Sequence, residues 1–378
     1  MNGELGYGKA LWEQVREDFP VARRLVYLNH AAVAPLVRPA AEAMRSLVDD
    51  VEGVGSEGWR HWIEAYEGLR VTAAQMVGAH RDEIAIVKNT SEGIATIALG
   101  FDWRAGDRVV CFREEFPANY FPWVRLEKRG VKVEWLSIYD PLERVESAAK
   151  GARLVAVSFV NYLSGHRVDL RSMGDICRRH GAFFFVDAIQ GLGVFPLDVE
   201  SMGIDALAAD GHKWLLGPEG CGILYVRRAR QDEIEPVEFG WTNVAGYADY
   251  ASRDMTLRGD AGRYECGTLN TVGIFGLRAS VEYLNRVGIE RVGEAVLALS
   301  SQLVEGARER GYEVAGVDGE GCRSGIVSVR RAGEDARTLV ARTREAGFVA
   351  APRQGWARLA PHFYVSPGEI ERVLEILS

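Results

Sequence analysis

Cysteine is scarce in this chain and follows no pattern. The 378 residues hold five: Cys111, Cys177, Cys221, Cys266 and Cys322, an odd number with no two in CxxC spacing. This excludes a disulfide framework and a zinc site built from paired thiols, and it fits a reducing compartment. Positive charge is also short. The 45 Lys and Arg stand against 53 Asp and Glu, a net charge of -8, which leaves no electrostatic footprint for nucleic acid. No apolar run reaches the length of a membrane span, and Met1–Lys9 lacks the apolar core of a secretion signal. A cytoplasmic protein is expected. There is no internal repeat, low-complexity tract or heptad run, so solenoids and coiled coils are excluded. No GxGxxG follows the first strand, which removes support for a nicotinamide dehydrogenase.

What is present is an ordinary globular composition, 47% hydrophobic and 26% charged, on a chain long enough for two domains. Leu11, Trp12, Val15 and Phe19 give a helical stripe over 11–19. A small-residue segment, Tyr27 to Pro35, precedes a helix begun by Pro39, with Ala40, Met44, Leu47, Val48 and Val51 on one face. A second helix covers 59–78. The period then changes. Apolar runs at 83–87, 108–112, 131–136, 154–160, 182–186, 205–210 and 220–226 read as strands, with helical patterns between most of them. The run at 154–160 is apolar on both faces, as a central parallel strand requires. Crossovers too long for hairpins make this a doubly wound α/β domain. After a loop-rich stretch over 236–263, a helical pattern over 272–310, a strand over 325–330 and helices near 334–346 and 367–377 suggest a small α+β domain. The expected division is 20–280 for the large domain and 281–378, joined by 1–19, for the small one.

Two of the strands end in chemistry. Ala182 to Val186 stops at Asp187, with Gln190 three positions on. Asp205 to Ala209 breaks at Asp210-Gly211 and presents His212 and Lys213. In open α/β sheets, ligands sit beyond the carboxyl ends of the strands. A lysine for a Schiff base and an aspartate for a pyridinium nitrogen are what pyridoxal phosphate (PLP) requires of a protein. A third strand end, at 87, runs into Lys88-Asn89-Thr90-Ser91, where Thr90 or Ser91 can cap a helix. A phosphate suits such a helix start, although a plain cap is the simpler account.

Taken in order, Tyr27-Leu-Asn-His-Ala-Ala32, Asn89-Thr-Ser-Glu-Gly93, Glu115-Phe-Pro-Ala-Asn119, Val186-Asp-Ala-Ile-Gln190, Gly211-His-Lys-Trp-Leu-Leu-Gly-Pro218, Arg263-Tyr-Glu-Cys-Gly-Thr-Leu-Asn270 and Arg358-Leu-Ala-Pro-His-Phe-Tyr364 span nearly the whole chain. Together they resemble the class V aminotransferase family of fold-type I PLP enzymes. Its relatives include cysteine desulfurases and isopenicillin N epimerase-like proteins. The resemblance implies a mostly parallel sheet between helices, a smaller C-terminal α+β domain, PLP as cofactor, an amino-acid substrate and a homodimer with shared active sites.

It also assigns roles. Lys213 would form the Schiff base and serve as general base, and Asp187 would pair with the pyridine nitrogen. Gln190 would meet the cofactor's phenolic oxygen. Thr90, Ser91 and His212 would hold the phosphate, with Thr268 arriving from the partner subunit. Phe116 would face the ring where desulfurases commonly carry histidine; phenylalanine moves no proton. Asn161 would touch cofactor or substrate. Arg358 would grip the substrate α-carboxylate through two parallel hydrogen bonds. Asn29, His30, Arg353 and Trp241 are candidates for the substrate side. Asp210 departs from the desulfurase pattern, where a serine often stands by the phosphate. A carboxylate there would repel a dianion, so Asp210 either turns away or fixes Lys213 or His212.

One exclusion follows from the same resemblance. A persulfide-forming desulfurase needs a mobile cysteine before the carboxylate arginine, and no cysteine lies between Cys322 and Arg358. The expected chemistry is transamination of an α-amino acid. The alternatives are a C–S β-lyase, an amino-acid epimerase, or a catalytically silent PLP-binding protein.

Overall fold

The computed structural model describes residues 9–316, 319 and 321–378. A seven-stranded sheet organises it: β1 Ile84–Val87, β2 Arg108–Phe112, β3 Lys132–Leu136, β4 Leu154–Ser158, β5 Phe183–Asp187, β6 Ala206–Asp210 and β7 Gly222–Val226. Their order across the sheet is β1-β7-β6-β5-β4-β2-β3. Strands β2 to β6 pair in parallel; β7 runs antiparallel to β6 and to β1. This is the α/β architecture expected above, with one reversed strand.

The apolar runs explain the burial. Side chains alternate across a strand, so a run without polar interruption buries both faces. Phe183 and Phe185 pack on one side of the sheet with Leu154, Ala156, Ala206 and Ala208. Phe184 and Val186 pack on the other with Val155, Val157, Leu207 and Ala209. Full burial of a phenylalanine stabilises by roughly 1.5–3 kcal/mol relative to exposure. Three in succession hold β5 at the middle of the sheet.

Several boundaries differ from the sequence expectation. The strand over 154–160 ends at Ser158, because Val160 turns off to bridge Arg167. The helix over 11–19 is α-helical only over Leu11–Val15 and tightens into a 3-10 turn, Arg16–Asp18. The pattern over 272–310 is two helices, Thr271–Val287 and Ile289–Glu309, parted at Gly288 with φ +93°. On helix Arg38–Val54, Ala40 and Leu47 are buried, but Val48 and Val51 are 54% and 46% exposed.

A smaller antiparallel sheet contains β8 Glu313–Val314, β9 Val327–Arg330, β10 Ala351–Arg353 and β11 Trp356–Leu359, in the order β10-β11-β9-β8. The β10–β11 hairpin turns at Gln354 and Gly355, with φ of 47° and 82°. Positive φ at both centres is what a two-residue turn needs to match strand twist. A short parallel pair, Val26–Tyr27 with Phe348–Val349, ties the N-terminal segment to this part of the chain. Among the described residues, no helix is long and apolar enough to cross a membrane.

Candidate active site

Adjacent strands β4, β5 and β6 end side by side. Ser158 is opposite Asp187, and Asp187 is opposite Ala208, two residues before Asp210. The chain beyond β6 turns sharply. Leu216 donates its N–H to the Lys213 carbonyl at 3.0 Å, and Gly217 to the Gly211 carbonyl at 2.9 Å. This turn holds Leu216 at φ 59°, a conformation costly to a branched side chain and maintained here by burial. Trp214 anchors the turn into the core, donating Nε1–H to Gln190 Oε1 at 2.8 Å. Gln190 in turn donates to the Ala31 carbonyl at 3.0 Å. Ala34 N–H reaches the His212 carbonyl at 2.7 Å. The small residues after Tyr27 are explained by this close crossing. With Trp214 committed to the core, Lys213 faces the other way, into a cavity of about 330 Å³.

That cavity is lined by Lys213, Asp187, Thr90, Ser91, Phe116, Gln190, His212, Arg353 and Arg358, all named from sequence. The Lys213 amine has no carboxylate within ion-pair distance among the described residues. Burial drives it down to about 8, opposed by Asp187 and aided by Arg358. Asp187 is pushed up to about 6, again by burial, against the Ile189 N–H and the charge of Lys213. Its Oδ1 accepts that N–H at 3.1 Å. The Phe116 ring centroid lies 5.8 Å from Lys213 Nζ.

Helix Thr90–Gly100 begins at the same place. Its cap is Asn89, whose side chain accepts from Glu92 N–H, so neither Thr90 nor Ser91 is the capping residue expected. Both belong to the first turn, where backbone N–H groups lack intrahelical partners. A Cβ at Gly93 would stand 2.6 Å from Ala208 Cβ, so glycine lets the helix press against β6. The Thr90 hydroxyl accepts Asp210 N–H at 2.9 Å. The side chain of Asp210 turns to Gly211 N–H at 2.7 Å and to His212, with Oδ2 3.0 Å from Nδ1. The latter approach lies outside hydrogen-bonding geometry. Of the readings left open for Asp210, this geometry favours His212 over Lys213.

Other candidates stand away from the cavity wall. His30 is fully buried and bonded on both ring nitrogens, to the Ala360 carbonyl at 2.8 Å and Tyr364 Oη at 2.9 Å. Burial drives it down to about 4, the behaviour of a packed neutral imidazole. Asn29 bridges Ala360 beside it. Asn161 shapes its own loop, donating to the Glu114 carbonyl and accepting from Leu163 and Ser164 N–H. Its neighbour Tyr162 lines the cavity instead, a difference of one residue that loop geometry decides. Trp241 packs with Tyr247 and Tyr250 on a separate loop. Thr268 lies in another recess with Lys88 and Cys266. Glu115, given no role from sequence, is buried beneath the site. Its carboxyl, pushed up to about 8 by burial, bonds Ser158 N–H at 2.6 Å.

The family model for aminotransferase class-V matches residues 26–351. The chain belongs to the class V aminotransferase family. A probable cysteine desulfurase of Methanothermobacter thermautotrophicus is 34% identical over 300 residues, covering 77% of this chain and 74% of that protein. An uncharacterized aminotransferase of Bacillus subtilis, YcbU, is 30% identical over 369 residues, 96% of each. The solved apo cysteine desulfurase of Thermococcus onnurineus superposes with a TM-score of 0.89 at 28% identity, covering 97% of this chain and 96% of that one.

As a class V member the protein is a PLP-dependent enzyme. The residues present fit that cofactor. Among the described residues, a buried amine with no carboxylate within ion-pair distance, a carboxylate at a neighbouring strand end and the first turn of a helix share one cavity. Among the described residues, His212 Nδ1 and Arg358 Nε find no hydrogen-bond partner. When bound, PLP supplies an electron sink for charge developing at a substrate carbon.

Proposed function

We propose that this class V enzyme transaminates an α-amino acid. Lys213 would hold the cofactor through Nζ, and Asp187 would keep the pyridine nitrogen protonated. Thr90, Ser91 and His212 would seat the phosphate at the helix start, and Gln190 would meet the ring oxygen. Arg358 takes the α-carboxylate. The Lys213 amine would also be the group placed to move a proton at the substrate α-carbon. The single observation behind this reading is a buried Lys213 amine, eased toward its neutral form by burial, that shares with Asp187 a cavity whose lining includes no cysteine. Without a thiol at the wall, the chain's own base is Lys213. The 96% mutual coverage with an aminotransferase supports the choice of transamination.

A C–S β-lyase is the second reading. It is favoured by relatives described as cysteine desulfurases, and it needs no protein thiol. Persulfide formation on the protein is disfavoured, since Cys111, Cys177 and Cys221 are buried and neither Cys266 nor Cys322 lines the cavity. A homodimer is also part of the proposal. Val48 and Val51 are exposed and line an open, largely apolar hollow with Leu47 and Trp62, which supports it, and the family pattern would bring Thr268 to the partner's site.

The test is product analysis of the holoenzyme with single amino acids and a keto-acid acceptor. A keto acid from the amino donor supports transamination. Sulfide and pyruvate from a cysteine derivative, with no new amino acid, would replace it by the second reading.

A further inference from the structure

The β10–β11 hairpin presents two guanidiniums to one cavity. Ala351 is opposite Arg358 and Arg353 is opposite Trp356, so Arg353 and Arg358 share a face as diagonal neighbours. Such neighbours stand roughly 7–8 Å apart along the backbone. Their settings differ. Arg358 is 2% exposed, whereas Arg353 sits at the turn, toward solvent. Among the described residues, neither has a carboxylate within ion-pair distance. Arg358 Nη1 donates to the Tyr162 carbonyl at 2.7 Å, and Arg353 Nη1 donates to the Pro352 carbonyl at 3.1 Å. The neighbouring Arg330, on β9, is by contrast paired with Glu313.

The cavity's carboxylates do not answer this charge. Asp210 is turned to Gly211 and His212, and Asp187 lies at the end of β5. One substrate carboxylate matches one planar fork through paired hydrogen bonds. Arg358, the buried one, takes it. Arg353 is left with a free fork, and Gln354, beside it in the turn, is bonded to Tyr162 Oη at 2.7 Å, which steadies the hairpin against the large-sheet loop.

We propose that Arg353 is a specificity residue selecting amino acids with a second anionic group, a carboxylate or sulfinate on the side chain. This rests on the amino-acid reading above and narrows its substrate class. Both guanidiniums open on one cavity, Arg358 buried and Arg353 exposed, which suits an α-carboxylate inside and a side-chain anion, carboxylate or sulfinate, at the mouth. The Arg353 charge also helps depress both Lys213 and Arg358, and an anion at the mouth would relieve it.

The experiment compares kcat/KM of the holoenzyme for aspartate, glutamate and cysteine sulfinate with asparagine, glutamine and cysteine. The acids are expected to lead by on the order of tenfold or more. Arg353→Gln should collapse the acid-to-neutral ratio by a similar factor, Arg353→Lys should restore part of it, and Arg353→Glu should turn it below one. An acid-to-neutral ratio at or below one in the parent enzyme, or equal losses for both groups in Arg353→Gln, would overturn the inference alone. If no amino acid changed the absorbance of the bound cofactor, the broader reading would fall and this inference with it.

Discussion

Arg358 on β11 donates Nη1–H to the carbonyl of Tyr162, in the loop after β4, at 2.7 Å. The bond crosses from the small sheet to the large one. It aims a buried guanidinium into the cavity and leaves Nε without a partner. Burial drives Arg358 down to about 10, with Arg353 adding to the effect, so an arriving carboxylate meets a cation already stripped of water.

Replacing Arg358 should therefore act on substrate binding. Arg358→Ala is expected to raise KM by about 10–100-fold. Arg358→Lys should recover little, because an ammonium cannot present the planar fork. Steady-state kinetics with any accepted amino acid checks both. A lysine variant with parental KM would argue against bidentate recognition.

Lys213 should be the attachment point of PLP. Borohydride treatment of the holoenzyme, then peptide mass spectrometry, is expected to place the reduced cofactor on that residue. Lys213→Ala should lose the adduct. An adduct elsewhere would remove the basis of the proposed function.

The same lysine sets a pH dependence. Only the neutral amine attacks an aldehyde, and burial lowers its value to about 8. Uptake of PLP by apoprotein should therefore quicken as pH rises, with a midpoint near about 8. A rate still climbing steeply near the ordinary lysine value would show that the amine is not desolvated.

Asp187→Asn keeps the shape and removes the charge. The pyridine nitrogen then loses its counter-ion, and kcat is expected to fall on the order of a hundredfold or more. The borohydride adduct at Lys213 should persist, which separates lost electron withdrawal from lost binding. Unchanged kcat would exclude the pairing.

A structural prediction lies outside the cavity. Arg70 forms a two-pronged pair with Glu265, at 2.6 and 2.7 Å, and Glu265 also accepts Ile86 N–H at 2.7 Å. Both side chains are buried. Arg70→Met strands the Glu265 carboxylate and should lower unfolding stability by about 3–5 kcal/mol. Denaturant titration measures this; a loss below about 1 kcal/mol would mean the carboxylate finds another partner or takes up a proton.

Asp187 and Lys213 were legible because the signal is local. An apolar run that buries both faces of a strand cannot continue through a charge, so the polar residue at its end marks the sheet's edge. His30 carried no such signal: its neighbours are small and apolar whether the ring faces a cavity or, as here, bonds Ala360 and Tyr364. Tyr162 was missed beside Asn161 because loop conformation, and not composition, selects which of two adjacent side chains faces inward.

By itself, the sequence determined the strands, their ends and the ordered motifs, since strand burial and turn chemistry are written in neighbouring residues. Tertiary structure alone decided that β5 lies beside β6, that Asp210 turns to His212, and that the β10–β11 hairpin brings Arg353 and Arg358 to Lys213. Those separations are set by strand pairing and by packing between sheets, which join residues far apart along the chain and leave no periodic trace in it.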